Sequence, residues 1–268
     1  MGPPQARRRM SPLLQLDRVT IRFGGLTAVS EVSLGVGQGD LAGLIGPNGA
    51  GKTTVFNLMT GVYQPTSGAI AFDGRPTAGL KPFELTRAGI ARTFQNIRLF
   101  RSLSVEDNVR AAMQVHRKQG AWQSWWRGAA FRKAEAEVSD RAAELLSIFR
   151  LEGLRHEPAT SLSYGDQRRL EIVRALATGP RLLLLDEPAA GMNPTEKIEL
   201  ARLIREVRDR FKISILLVEH DMALVMDLCE RIHVLDHGVK IAEGTPDEVR
   251  RDPAVVGAYL GEENALPA

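Results

Sequence analysis

Cysteine is almost absent: the chain carries one, Cys229, so an internal disulfide framework is excluded, as suits a reducing compartment. Aromatic residues are sparse at 6%, and all three tryptophans, Trp122, Trp125 and Trp126, crowd into one short stretch. Nowhere do about eighteen apolar residues run together, so passage through a membrane is left to other chains. The basic start Arg7-Arg8-Arg9 lacks a following apolar region of signal-peptide length; it reads as a frayed terminus or as a small tag for anionic lipid. An excess of one charge is missing too. The net charge of +3 gives no reason to expect nucleic acid as a partner. Internal repeats and low-complexity tracts are absent.

What remains is a chain of 268 residues, 44% hydrophobic, sufficient to bury a sizeable core. The apolar run Leu41 to Ile45 leads into Gly46-Pro47-Asn48-Gly49-Ala50-Gly51-Lys52-Thr53-Thr54, a glycine-rich turn predicted to open a helix at about Lys52. Such a turn aims backbone N–H groups inward and wraps a phosphate. Its glycines permit close backbone approach, Lys52 is placed to reach β and γ oxygens, and Thr53 to ligate Mg²⁺. The bland alternative is a strand-to-helix turn with a surface lysine.

Leu182 to Leu185 reads as a strand buried on both faces that delivers Asp186 and Glu187 at its carboxyl edge, where ligands of α/β sheets bind. Asp186 is the expected partner of Mg²⁺ and Glu187 the candidate base for an attacking water. A second apolar run, Ile213 to Val218, ends in Glu219-His220-Asp221 and puts His220 beside the γ-phosphate. Asn193-Pro194 fits an N-cap and first-turn pair opening a helix whose Ile198, Ala201, Ile204, Val207 and Phe211 share a face.

Leu162-Ser163-Tyr164-Gly165-Asp166, just before a helix that precedes the second strand, resembles the signature of ABC-type ATPases, and the resemblance spans nearly the whole chain. Ser163 with Asp166 also reads as a capping box, worth about 1 kcal/mol. The resemblance implies that Ser163, Gly165 and Asp166 face the γ-phosphate held by an opposite subunit. It also makes Gln95, in Arg92-Thr93-Phe94-Gln95, a loop glutamine touching Mg²⁺ and the water, and matches Phe23 to the aromatic that stacks on adenine. For Phe23 the alternation with Val19 and Ile21 keeps core packing open as a rival. Tyr164 for the first signature glycine, Asp166 for glutamine and Asn193 for aspartate depart from the commonest pattern.

Those departures, with Arg168-Arg169-Leu170-Glu171-Ile172 and the ending Gly257-Ala258-Tyr259-Leu260-Gly261-Glu262, resemble the larger ATPase of branched-chain amino acid importers. Urea or amide importers and a lipopolysaccharide export ATPase share much of this wording. The implied fold is α/β: a P-loop NTPase of ABC type, with a RecA-like core, an antiparallel β subdomain and an inserted α-helical subdomain. Residues 1–10 are expected to be a disordered extension and 11–268 one domain. Its core covers about 11–95 and 160–240, the helical subdomain about 96–160 and a C-terminal segment 241–268. In the insert, an amphipathic helix is expected over Ala134 to Phe149.

The tryptophan stretch reads either as a short helical hairpin or as a contact with a membrane partner or lipid, since tryptophan beside basic residues favours interfaces. The resemblance implies ATP and Mg²⁺, transmembrane permease subunits, a second ATPase subunit (identical or a sister), an indirect periplasmic or extracellular solute-binding protein, and a peripheral place on the cytoplasmic face of the inner membrane. DNA-repair and translation relatives are disfavoured: one cassette is present, and about 110 residues between Lys52 and Ser163 leave no room for a long coiled coil.

Overall fold

In the computed structural model, residues 12–116 and 129–263 are described; the three tryptophans lie outside them. Two sheets carry the fold. Strand β1 (Leu14–Phe23) alternates inward Leu14 and Leu16 with polar residues, as a half-buried antiparallel strand must. It lies between β2 (Leu26–Val36) and β4 (Ser67–Phe72), and the short β5 (Arg75–Pro76) completes the order β2-β1-β4-β5.

The larger sheet has the order β10-β9-β3-β8-β7-β6, from β3 (Leu41–Ile45), β6 (Ile90–Arg92), β7 (Leu182–Asp186), β8 (Ser214–Val218), β9 (Arg231–Asp236) and β10 (Val239–Gly244). All pairs are parallel except the edge pair β9 and β10. Every residue of β3, β7 and β8 is buried, because both faces are covered. Leu183 and Leu185 pack into one core with the helices of the insert, while Leu182 and Leu184 pack into the other, beneath the antiparallel sheet. Period-two alternation thus makes β7 the wall between two cores, and burying one such leucine contributes about 2 kcal/mol.

Register decides where the site lies. Val218 pairs with Leu44 on one side and Asp186 on the other, so β3, β8 and β7 end in one row. From that row depart the glycine turn with helix α1 (Lys52–Met59), Glu187, and Glu219.

Helix α2 (Pro82–Ala88) precedes β6, and α3 (Val105–Met113) and α4 (Ala129–Ile148) form the insert with α5 (Tyr164–Ala177). α4 begins five residues before the expected Ala134, because the helical pattern extends into Ala129 and Ala130. Then come α6 (Pro194–Phe211), α7 (Met222–Leu228), α8 (Pro246–Arg251) and α9 (Pro253–Glu263). Asn193 caps α6 by accepting from the Glu196 N–H at 3.0 Å. The buried face of α6 is Leu200, Ala201, Leu203, Ile204 and Val207; Ile198, expected among them, is 72% exposed. At about 100° per residue, Ile198 lies on the side of α6 opposite Val207 and so faces away from the core, although Leu200 and Ala201 of the same turn are already buried. β10 extends the larger sheet, so the strand that closes the core runs past residue 240.

Candidate functional site

The glycine turn admits no side chain at its first position. A Cβ on Gly46 would stand 2.0 Å from the Leu235 carbonyl oxygen, and φ there is 151°. Gly49 and Gly51 also have positive φ, 78° and 96°. Gly51 is the N-cap of α1 and brings no capping side chain, so the helix opens with amides suited to an anion. Lys52 Nζ donates to the Gly46 and Pro47 carbonyls at 2.7 and 2.8 Å, which draws the ammonium back over the turn. Thr53 is exposed and Thr54 half-buried at the start of the same helix.

At the end of β7 the Asp186 N–H donates to Thr93 Oγ1 at 3.1 Å, and Asp186 Oδ2 lies 2.6 Å from Arg92 Nη2. Arg92 also donates to Asn57 Oδ1 at 2.6 Å, so it bridges Asp186 to α1. Sequence reasoning missed Arg92, whose partner Asp186 stands 94 positions away. Glu187 has the left-handed φ of 47°, strained for a residue with a Cβ, and its N–H is held by the Val218 carbonyl at 2.9 Å. Gln95 Nε2 donates to Glu187 Oε2 at 3.1 Å, joining two predicted residues 92 positions apart.

Glu219 is buried and accepts from the Ala189 and His220 N–H groups at 2.8 and 3.2 Å. Burial pushes its carboxyl above the ordinary range, and these amides pull it partly back. His220 is 65% exposed, with Nδ1 3.9 Å from Glu219 Oε2, beyond hydrogen-bond reach. Phe23 leaves the core that holds Val19 and Ile21: it is 43% exposed, its ring edge-to-face with Tyr63 at 5.1 Å. Core packing is therefore not what occupies it.

Ser163 caps α5, accepting from the Asp166 N–H at 3.2 Å and donating to Asp166 Oδ2 at 2.7 Å. The bonds of both residues stay within the start of that helix, and Gly165 packs near Glu196. The structure thus gathers Gln95, Asp186 and Glu187 beside the row of strand ends and leaves Ser163, Gly165 and Asp166 as a capped helix start. The oxygen donors Thr53, Gln95 and Asp186 suit a hard cation. Among the described residues no three His, Cys, Asp or Glu side chains converge, so a Mg²⁺ here would complete its shell with phosphate oxygens and water. No helix among them is long and apolar enough to cross a membrane.

The ABC transporter family model matches residues 29–190, and the model of the branched-chain amino acid ATP-binding cassette transporter matches residues 239–265. The chain belongs to the ABC transporter family and is an ATPase of it. It is 48% identical over 251 residues to the high-affinity branched-chain amino acid transport ATP-binding protein LivG of Salmonella typhimurium, covering 94% of this chain and 98% of that one. The lipopolysaccharide export system ATP-binding protein LptB of Escherichia coli is 38% identical over 244 residues, covering 91% and 95%. Among solved structures, a dimeric post-hydrolysis state of an ATP-binding cassette bound to ADP and Pi matches with a TM-score of 0.73 at 26% identity, covering 87% and 98%.

Proposed function

We propose that this chain hydrolyses ATP to drive a branched-chain amino acid importer. The bond of Gln95 to Glu187 beside Asp186 carries the catalytic part of that reading, because it places a carboxylate and its orienting amide at the sheet edge where the phosphate-wrapping turn begins. Greater similarity to LivG than to LptB, and the C-terminal match, favour amino acid import over lipopolysaccharide export.

In this reading Gly46 to Thr54 wrap the triphosphate, Lys52 meets its β and γ oxygens, and Phe23 stacks on adenine. Mg²⁺, held by Thr53 and Asp186 with Gln95 nearby, would screen the phosphate charge. Glu187 takes a proton from water as its oxygen attacks the γ-phosphorus and the bond to the β-bridging oxygen breaks, giving ADP and phosphate. Gln95 orients Glu187, and His220, exposed at the same edge, faces the γ-phosphate. Ser163, Gly165 and Asp166 serve the ATP of a second ATPase subunit, an arrangement supported by the dimeric relative. ATP bridges two surfaces and so favours the closed dimer; hydrolysis removes that difference.

A groove of about 530 Å³ between the core and the helical insert, lined by Leu85, Phe94, Phe100, Val115 and Arg174, is the place for a permease segment. It begins at the Gln95 loop, so closure would be felt there. The chain would then sit peripherally on the cytoplasmic face, with the solute-binding protein reached only through the permease.

The test is purification of the complex from membranes by a tag on this chain, identification of its partners, and ATPase assay with leucine-loaded binding protein. Stimulation is expected. ATPase activity with no permease and no stimulation would overturn the import reading and leave the catalytic one.

A further inference from the structure

Helix α5 holds the loop of Gln95 by its backbone. Arg168, Glu171 and Arg174, three apart, share one helix face. Arg168 donates through Nη1 to the Phe94 carbonyl at 2.8 Å and through Nη2 to the Gln95 carbonyl. Glu171 Oε1 accepts from the N–H groups of Phe94 and Arg98 at 3.2 and 3.4 Å, and Arg174 donates to the Arg98 carbonyl. Arg168 and Glu171 are paired at 3.2 Å with side chains only 3% and 6% exposed. A pair so buried is tolerated when hydrogen bonds serve its other atoms, and here the loop backbone takes Arg168 Nη1 and Nη2 and Glu171 Oε1, while Arg168 Nε has no partner among the described residues.

The same Arg168 Nη2 reaches Tyr164 Oη at 3.0 Å. Tyr164 follows the capping Ser163, is half exposed, and lays its ring against Gly191, where an added Cβ would stand 2.9 Å from Cε1. One connected path therefore runs from the segment after Glu187, through Tyr164 and Arg168, to the carbonyl of Gln95, whose side chain bonds Glu187.

We propose that Tyr164 and Arg168 are positioning residues that couple the two ATP sites of the dimer. The inference rests on the site roles proposed above. A γ-phosphate of the opposite subunit arriving at Ser163 moves the first turn of α5; Tyr164 and Arg168 carry that movement to Gln95, which sets Glu187 on the chain's own ATP. Neither residue needs to touch nucleotide.

The test measures ATPase rate against ATP concentration in the tagged complex for wild type, Tyr164→Phe, Arg168→Lys, the double variant and Gln95→Ala. Tyr164→Phe removes one oxygen from a half-exposed side chain, so folding is unaffected and its melting temperature stays that of wild type. It is expected to lower maximal turnover about threefold to tenfold and bring the Hill coefficient toward 1, with half-saturating ATP within about twofold. The double variant should fall no lower than Arg168→Lys alone, as members of one path do. A merely structural role would reduce the active fraction and leave the Hill coefficient in place. Wild-type turnover and Hill coefficient in Tyr164→Phe, alongside a slowed Gln95→Ala, would overturn the coupling alone. So would a wild-type Hill coefficient of 1. Wild-type turnover in Gln95→Ala would overturn the site reading beneath it and the inference with it.

Discussion

Arg92 Nη2 lies 2.6 Å from Asp186 Oδ2, and both side chains are more than nine-tenths buried. The ion pair fixes the last residue of β7 to α1, since Arg92 also bonds Asn57 Oδ1. It fixes the carboxylate's orientation before any ligand arrives. Removing one partner of a buried pair strands the other charge, so Arg92→Met is expected to cost about 3 kcal/mol. Urea denaturation would show this as a lower midpoint at unchanged slope. A loss below about 1 kcal/mol would mean that Asp186 finds water or another donor instead.

Glu187 combines a strained backbone with the bond from Gln95. Glutamine keeps its shape and can still accept from Gln95, but cannot take a proton. Glu187→Gln is therefore expected to bind ATP within about twofold of wild type while turnover falls by about 10² to 10⁴. Equilibrium nucleotide binding and single-turnover hydrolysis separate the two effects. Normal turnover would remove Glu187 as the base.

Glu219 makes a pH-dependent contribution whose sign is fixed by its burial. Its folded-state carboxyl titrates above the ordinary glutamate range. The folded chain thus holds this proton more tightly than the unfolded one. The resulting stabilisation is complete below the unfolded pKa and is lost as pH rises through the folded one. Glu219→Gln imitates the protonated form at every pH. It should match wild type in acid and gain on it as pH rises through that window, as read by denaturant melts at a series of pH values. A gap that stays constant, or grows in favour of wild type, would contradict the assignment.

Much of this site was legible in sequence because its parts are local. A glycine turn after an apolar strand, and an apolar strand ending in Asp186-Glu187, are defined by spacing, and the structure places both as read. What could not be read depends on distant partners. Arg92 meets Asp186 across 94 positions and Arg168 meets the Phe94 carbonyl across 74, and no local pattern announces either. The order β10-β9-β3-β8-β7-β6 is likewise set by crossovers. Ile198 shows the opposite failure, for steps of three residues drift by about 60° each around a helix, so Ile198 and Val207 end on opposite sides of α6 rather than on one face. Phe23 continued an alternation that the sheet had already carried out of the core.

Two glycines of the turn separate steric from conformational cost. Gly46 has a carbonyl oxygen, Leu235 O, 2.0 Å from where a Cβ would stand, and Ala50 Cβ at 3.1 Å. Gly49 has φ of 78° with nothing within 4 Å of its Cβ position. Gly49→Ala should therefore cost only the left-handed backbone penalty, about 1–2 kcal/mol. Gly46→Ala must push β9 and the turn apart, which costs several times more and disorganises the amides that wrap phosphate. ATP binding and thermal melts of the two variants side by side decide it. Gly46→Ala should lose more than about 100-fold in affinity, some 3 kcal/mol, and melt well below Gly49→Ala. Equal behaviour would show that the turn yields to a methyl group at either position, and that its closeness to β9 is not what shapes the phosphate site.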